Sequence, residues 1–226
     1  MDRTGTVTGV KAGTATIRVR ASSGSTASVQ VEVIDPTDED VLSTLTDCDQ
    51  ACLVRYRKGS LADFGFWERT EQGWQTVFAC EAYVGRNGID KTKEGDKRTP
   101  TGTYTLTLAF GIEPDPGALM EYHQVTETEY WCSNVKSPLY DRLVDTAVTD
   151  YRPTSADEHL IKVKGNYDYC LALDYNADHV PGKGSAIFLH CQGKKRSTSG
   201  CIAIPTERMK ELLRSLRPGG RIAIFR

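Results

Sequence analysis

Residues 184–205 read GSAIFLHCQGKKRSTSGCIAIP, in which two apolar runs flank a polar, basic loop. The first run, Ala186–Leu189, predicts a buried strand that ends on His190. The second run, Ile202–Ile204, follows directly on Cys201 and predicts another strand. An imidazole and a thiol at the facing ends of two strands are the pair that nucleophilic cysteine catalysis needs. This stretch therefore favours His190 as a general base and Cys201 as a nucleophile.

The residues around this pair leave three interpretations open. Gly200 precedes the thiol and would let a substrate carbonyl approach backbone N–H groups that stabilise an oxyanion. A buried thiol and an ordinary histidine are the plainer interpretation. Zinc binding through His190, Cys191 and Cys201 is the third, but adjacent His and Cys are poor ligand spacing and no fourth ligand is evident. We predict neither a metal nor a cofactor.

Two separated motifs resemble those of the YkuD-type L,D-transpeptidase family. The first is Thr198-Ser199-Gly200-Cys201-Ile202, preceded by Phe188-Leu189-His190. The second lies upstream, where Thr99-Pro100-Thr101-Gly102 is similar to the family's TPxG segment. The resemblance extends from about residue 52 to residue 226. It implies a mainly β fold with a few helices, in the form of that family's β-sandwich catalytic domain.

The chemistry implied by the resemblance is acyl transfer on peptidoglycan stem peptides. Cys201 would attack the carbonyl of the third stem residue and expel the terminal D-alanine. The resulting thioester would pass to an amine of another stem, forming a 3→3 cross-link. His190 would be the general base, oriented by the backbone carbonyl of Cys191. Backbone amides around Gly200 and Cys201 would form the oxyanion hole.

The resemblance also implies where the substrate binds. Thr198 and Ser199 would contact the stem peptide, although the family's commonest signature has His where Ser199 stands. Residues 111–157 are irregular and rich in aromatic side chains, which is typical of a lid or binding loop. Because an insertion flanks the active site at this place in the family, Tyr122 and Trp131 are candidates for substrate contact. Core packing is the alternative for both.

Two other classes of function remain open at this stage. The same fold with water as acceptor would be an L,D-carboxypeptidase, or the chain could be another cysteine acyl hydrolase or amidotransferase. A non-catalytic cell-surface binding module with a vestigial site is the second alternative.

Charge and hydropathy narrow the possible partners. The formal net charge is −2, and no basic stripe is interleaved with aromatic residues, which argues against nucleic acid. The basic loop at 194–196 would instead attract stem-peptide carboxylates. No apolar run reaches the length of a membrane span, and no signal peptide is evident, so a cytoplasmic protein or a shortened N-terminus stays open. The resemblance implies an extracytoplasmic monomer at the cell wall or cell surface.

The cysteine count is odd, at seven, which fits one working thiol among other cysteines. In an oxidising compartment six of them could pair and leave Cys201 free. Reduced, buried cysteines explain the count equally well, so no pairing is assigned.

Residues 1–35 differ from the rest of the chain in their pattern of apolar and polar residues. They alternate apolar and polar residues in short runs, including Thr6–Thr8, which predicts antiparallel strands. The run GTVTGVKAGTATIRVR resembles the C-terminal part of a bacterial Ig-like group 2 domain, and a β extension packed on the main domain is the alternative. We expect a truncated Ig-like segment at 1–35, a linker with a short helix at 36–47 and the catalytic domain at 48–226.

Elsewhere the pattern predicts a β-rich domain with one amphipathic helix. Met209, Leu212, Leu213 and Leu216 follow helical spacing after Pro205. Leu160–Val163 and Cys170–Tyr175 read as strands, and His123, His159 and His179 as surface histidines. A last strand is expected at Ile222–Phe225.

Overall fold

The computed structural model describes residues 5–7, 9 and 12–226. The chain divides into two compact units, of which one ends at Val41 and the other runs from Leu42 to Arg226. This boundary falls inside the segment at 36–47 that the sequence analysis treats as a linker.

Within its described residues, the first unit contains one antiparallel hairpin, formed by β1 (Gly13–Arg20) and β2 (Thr26–Val33). Thr6 and Val7, which were expected to lie in a strand, are outside any strand, and Thr8 lies outside the described residues. Helix α1 (Asp38–Thr44) follows. A lone two-stranded hairpin has too little apolar surface to form a core. The Ig-like assignment of this segment therefore stays a prediction.

The second unit is mainly β, as predicted. Its elements in chain order are β3 (Gln50–Lys58), β4 (Leu61–Thr70), β5 (Gly73–Tyr83), β6 (Gly102–Gly111), β7 (Tyr122–Gln124), β8 (Glu129–Trp131), β9 (Leu143–Asp145), β10 (Glu158–His159), β11 (Cys170–Leu173), β12 (Phe188–Cys191), β13 (Ile202–Ile204), α2 (Thr206–Ser215) and β14 (Arg221–Phe225). None of the helices in the described residues is long and apolar enough to cross a membrane.

Nine of these strands form one sheet that closes on itself. Its spatial order is β11-β12-β13-β5-β4-β3-β14-β6-β7, and β11 also pairs with β6. Because that extra pairing joins strands from opposite ends of the order, the sheet curls into a barrel. A second, small sheet has the order β10-β8-β9. Its strands β8 and β9 lie in residues 111–157, and β10 follows directly after that segment.

Apolar side chains from the sheet and α2 share one core. Phe64, Phe66 and Phe78 pack together from β4 and β5. The predicted amphipathic helix is confirmed, and Met209 and Leu212 on its apolar face are fully buried in the same cluster. The helix therefore covers the core and serves as scaffold.

Three predicted strands differ from the structure. The smallest difference is at Cys170–Tyr175, where the observed strand ends at Leu173. Leu160–Lys162 forms a 3₁₀ turn, closed by the Val163 N–H on the Leu160 carbonyl, so a strand at Leu160–Val163 is wrong. Leu160 is fully buried in this turn, which satisfies the apolar pattern without extended backbone. The strand expected at Ala186–Leu189 begins at Phe188, because Ala186 has a left-handed φ of 53°.

Candidate active site

The thiol of Cys201 lies at the start of β13, beside β12. The two strands pair in parallel, with Leu189 opposite Ile202. Cys201 is therefore level with Phe188, whose N–H points to the sulfur at 3.4 Å. The thiol donates to the carbonyl oxygen of Ala186 at 3.1 Å. Two backbone groups at the entry to β12 thus hold the sulfur in place.

The imidazole of His190 is fixed by the main chain. Its Nδ1 lies 2.8 Å from the carbonyl oxygen of Cys191, and because a carbonyl only accepts, Nδ1–H is the donor. That tautomer leaves Nε2 unprotonated, as a general base requires. The ring of Tyr167 packs against the imidazole, with 5.4 Å between the centroids.

His190 and Cys201 line the same cavity, which has a volume of about 800 Å³. Thr198, Ser199 and Gly200 line it too. Ser199 is exposed, and its hydroxyl has no hydrogen-bond partner among the described residues, so it is open to a substrate. The structure thus brings these five predicted site residues to one place.

Cys191 contributes its carbonyl but not its thiol. Successive residues of a strand point to opposite faces, and the Cys191 sulfur lies 3.6 Å from the carbonyl oxygen of Tyr169 in the main core cluster. His190 and Cys191 therefore do not converge on a shared ion. Within the described part of the chain, no group of three or more His, Cys, Asp or Glu side chains is placed to hold a metal.

Burial keeps both members of the pair neutral at rest. It raises the pKa of the Cys201 thiol to about 12, and the Glu158 carboxylate adds to this, while the Phe188 N–H and the Lys91 ammonium oppose it. Burial also lowers the pKa of His190 to about 4 against the opposing effect of the Cys191 carbonyl. The imidazole is consequently unprotonated at neutral pH, which is the form that a general base needs.

The low pKa of His190 predicts a specific acid sensitivity. Between the ordinary value of 6.5 and about 4, the unfolded chain binds a proton that the folded chain does not, so stability is lost as the pH falls through this window. Going from about pH 7.5 to about pH 5 should cost about 2 kcal/mol through this group alone. Urea denaturation of the wild type and of His190→Gln at both pH values measures it. The variant should lose about 2 kcal/mol less, and an equal loss in both proteins would contradict this account.

The loop before the nucleophile holds itself in place through Thr198. The Gly200 N–H donates to Thr198 Oγ1 at 3.1 Å, and the Thr198 hydroxyl donates to the Cys201 carbonyl at 2.7 Å. The Gly200 amide, expected in the oxyanion hole, is therefore occupied in this structure. The Cys201 N–H has no acceptor among the described residues and is left as the candidate oxyanion donor.

Gly200 is required by the space around it. Its φ is 153°, and a Cβ at this position would lie 3.1 Å from the carbonyl oxygen of Arg98 and 3.3 Å from Ile187 Cδ1. A side chain would press on both, so only glycine lets the chain turn into Cys201 here.

Thr99 connects the TPxG motif to the backbone around Cys201. This residue is fully buried, and its hydroxyl accepts the Gly85 N–H at 2.8 Å and donates to the Cys201 carbonyl at 3.1 Å. Gly85 in turn pairs with Thr198 in an isolated bridge. The TPxG segment is thus tied directly to the main chain of the nucleophile. Thr99 was quoted as part of this motif, but the resemblance gave no role to it.

Tyr122 and Trp131 are not among the residues that line the cavity. The Tyr122 hydroxyl donates to the carbonyl of Glu113. The Trp131 indole N–H donates to Asp141 Oδ1 at 2.8 Å, and the same oxygen accepts the N–H of Ala186 at 3.0 Å. The carbonyl of the same Ala186 accepts the hydrogen bond of the Cys201 thiol. Trp131 is therefore linked to this thiol only indirectly, through Asp141 and the backbone of Ala186. Substrate contact by either aromatic residue therefore has no support in this arrangement.

The cavity wall carries charges that the motifs did not reveal. Its acidic side chains are Glu94 and Glu158, and the hydroxyls of Tyr140 and Ser185 both donate to Glu94. Its cationic side chains are Arg86, Lys91, Lys97, Lys162, Lys164, Lys194 and Lys195. Except for Lys91, all of these cations are exposed. The mouth of the cavity is therefore positively charged, although the whole chain has a net charge of −2.

All seven cysteines lie in the described part of the chain, and all are free. Six of them are buried, and Cys80 is half-buried. Cys201 differs from the other buried thiols in that it lines the cavity.

Comparison with known proteins identifies one matching family model. The YkuD family model, described as the L,D-transpeptidase catalytic domain, matches residues 60–224. No curated protein sequence matches the chain.

Two solved structures are similar to this chain in fold. Bd1075 of Bdellovibrio bacteriovorus is 16% identical with a TM-score of 0.43, over 78% of this chain and 48% of that protein. The helical cell shape determining protein Pgp2 of Campylobacter jejuni is 16% identical with a TM-score of 0.40, over 83% of this chain and 55% of that protein. The chain thus spans about half the length of the structures it matches.

Proposed function

Because the chain belongs to the YkuD family of L,D-transpeptidase catalytic domains, we propose that it forms 3→3 cross-links in peptidoglycan through a thioester on Cys201. The observation that carries the proposal is the shared cavity, into which both the thiol of Cys201 and the imidazole of His190 open. The tautomer of His190 supports it further, since Nε2 is available as a base.

In the first half of the proposed reaction, the thiol turns from the Ala186 carbonyl and gives its proton to His190 Nε2. The sulfur attacks the carbonyl carbon of the third stem residue, and the oxygen of that carbonyl gains the negative charge. The Cys201 N–H points a donor at this oxyanion, and one such donor is typically worth about 3 kcal/mol of barrier. Collapse breaks the bond to the terminal D-alanine, whose amine leaves with the proton from His190.

In the second half, the side-chain amine of another stem peptide attacks the thioester. His190 Nε2 takes a proton from this amine, and collapse returns the sulfur as a leaving group that recovers its proton. The new amide is the cross-link. Water in place of the amine would give the hydrolytic outcome of an L,D-carboxypeptidase.

The charged mouth of the cavity suits this substrate. Stem peptides carry free carboxylates, and exposed lysines at the cavity mouth, including Lys194 and Lys195, would raise their local concentration. Ser199 would provide a hydrogen-bond group close to the scissile bond. We place the reaction in the cell envelope and propose that the chain acts there as a monomer.

Incubation with purified disaccharide-tetrapeptides tests the proposed function. We expect dimers that have released one D-alanine per cross-link, identified by mass after chromatographic separation. Free D-alanine is quantified in parallel. Cys201→Ala is the control and should give neither product.

Each alternative predicts a different result in this assay. Trimmed tripeptide monomers without dimers would assign the hydrolytic reaction. No product at all from a folded protein that nevertheless binds the muropeptides would overturn catalysis and favour a binding module.

A further inference from the structure

Lys91 is the buried cation of the cavity wall. Its side chain is 2% exposed, and its Nζ lies 2.9 Å from Asp96 Oδ1. Nζ would also be 3.7 Å from a Cβ built on Gly200, which places the ammonium next to the residue that precedes the nucleophile. Neither of the two motifs contains Lys91.

Asp96 holds this ammonium in position. Its carboxylate accepts the backbone N–H groups of Thr92, Lys93 and Arg98 as well as the Lys91 ammonium. Although burial acts to raise the pKa of Asp96, these hydrogen bonds outweigh it and lower the pKa to about 2. The carboxylate is therefore charged at any working pH and keeps Lys91 from swinging out to solvent.

One of the three N–H bonds of Lys91 is satisfied by Asp96, and the other two have no acceptor among the described residues. A buried ammonium is costly unless its charge is compensated. An ammonium with unused donors on the wall of a cavity is well suited to stabilise negative charge that develops there.

We propose that Lys91, fixed by Asp96, is a positioning residue that stabilises the Cys201 thiolate formed when His190 takes the thiol proton. The inference rests on the proposed function only in taking Cys201 as the nucleophile. The basic loop at 194–196 is less suited to this role. Lys194 and Lys195 in that loop are exposed, so solvent and salt screen them.

Besides His190, the titratable groups near the thiol include Glu158, Tyr167 and Cys170. Glu158 opposes thiolate formation, and Lys91 favours it. Burial raises the pKa values of Tyr167 and Cys170 well above their ordinary values, so both are neutral near pH 7. Lys91 is consequently the compensating cation for a thiolate that would otherwise meet a carboxylate and an apolar wall.

The pH dependence of Cys201 alkylation tests this role without any peptidoglycan substrate. Iodoacetamide reacts with the thiolate, and trypsin releases residues 197–208 as one peptide whose single cysteine is Cys201. In Lys91→Met the midpoint of the rate profile should rise by about one pH unit. Labelling at about pH 7.5 should then be about tenfold slower than in the wild type.

Lys97→Met is the matched control, since it removes the same charge from the same loop and the same cavity. Lys97 is exposed, so its removal should shift the midpoint by less than about 0.3 pH units. Lys91→Gln removes the charge but keeps a donor for Asp96, and it serves as the second variant should Lys91→Met fail to fold. The same upward shift is expected.

The possible results separate the two proposals. Equal midpoints in the wild type and in the folded Lys91 variant would overturn the role of Lys91 and leave the proposed function intact. A folded wild type in which Cys201 is not acylated by a carbapenem would instead remove the nucleophile itself. An equal shift in the Lys91 and Lys97 variants would reduce the effect to net charge and also overturn the inference.

Discussion

Replacing Cys201 with serine should abolish cross-link formation, with a loss of at least about 10³-fold in kcat. A serine hydroxyl is nearly isosteric with the thiol but is a far weaker acid, so proton transfer to His190 is much less favourable. The same substitution should also prevent acylation by a carbapenem, which the wild type should show as a stoichiometric increase in mass. The effect is large because every proposed bond change involves this one sulfur.

Cys80→Ser is the control for this substitution. Cys80 is half-buried on β5 and does not line the cavity, so this variant should keep both turnover and acylation. Turnover of Cys201→Ser within about tenfold of the wild type would remove Cys201 from the role of nucleophile.

Thr99→Val should lower both stability and turnover. Valine has nearly the same shape as threonine but leaves the buried Gly85 N–H without an acceptor and removes one of two donors from the Cys201 carbonyl. An unsatisfied buried group of this kind costs about 2 kcal/mol of unfolding free energy. Because the lost bond anchors the nucleophile's backbone, kcat should fall by about 10²-fold while KM changes little.

Urea denaturation and steady-state kinetics on the same preparations measure these two effects. Thr99→Ser keeps the hydroxyl and should recover most of the turnover. Thr101→Val is a neighbouring control, since its hydroxyl contacts Asp90 instead of the nucleophile. Full turnover in Thr99→Val would show that the TPxG segment supports the fold without positioning Cys201.

The strands that flank the active site were predictable because their sequence signals are local. The apolar residues before His190 and after Cys201 are buried on both faces in the barrel, and such strands read as continuous apolar runs. Their boundaries were less predictable. Ala186 has a left-handed conformation, and its N–H donates to the distant side chain of Asp141 instead of to a neighbouring strand. Strand β12 therefore begins only at Phe188.

The short strands of residues 111–157 escaped prediction for a related reason. β7, β8 and β9 have three residues each, too few for an alternating pattern to show. Their extended backbone follows from pairing with segments that are close in space, such as β6 for β7. At Leu160–Val163 the error is the opposite, because a strand was predicted where the chain forms a turn. Apolar residues two or three positions apart fit a tight turn as well as a strand.

The motifs pointed to His190 and Cys201 as the candidate pair but not to the charged residues around them. Lys91 and Glu158 lie 110 and 43 positions from Cys201 along the chain, and the closed sheet brings them to one cavity. Nothing in their local sequence distinguishes them from surface residues. Similarly, Trp131 looked like a substrate contact, but its indole N–H is used by Asp141 behind the site.

The strands of the barrel are not all paired to the same extent, and a junction between two neighbouring strands is called a seam here. β4 and β5 pair along their length from Leu61 to Thr70, whereas β13 and β5 share a single registered pair, Ala203 with Tyr83. Beyond that pair, the contact continues only through the short bridge between Gly85 and Thr198. Proteins open first where backbone pairing is sparse, and this seam lies two residues beyond the sulfur. Warming will therefore disable the reaction centre before it melts the molecule, and mutations that strengthen the long hairpin will raise the Tm without lengthening the working lifetime at high temperature.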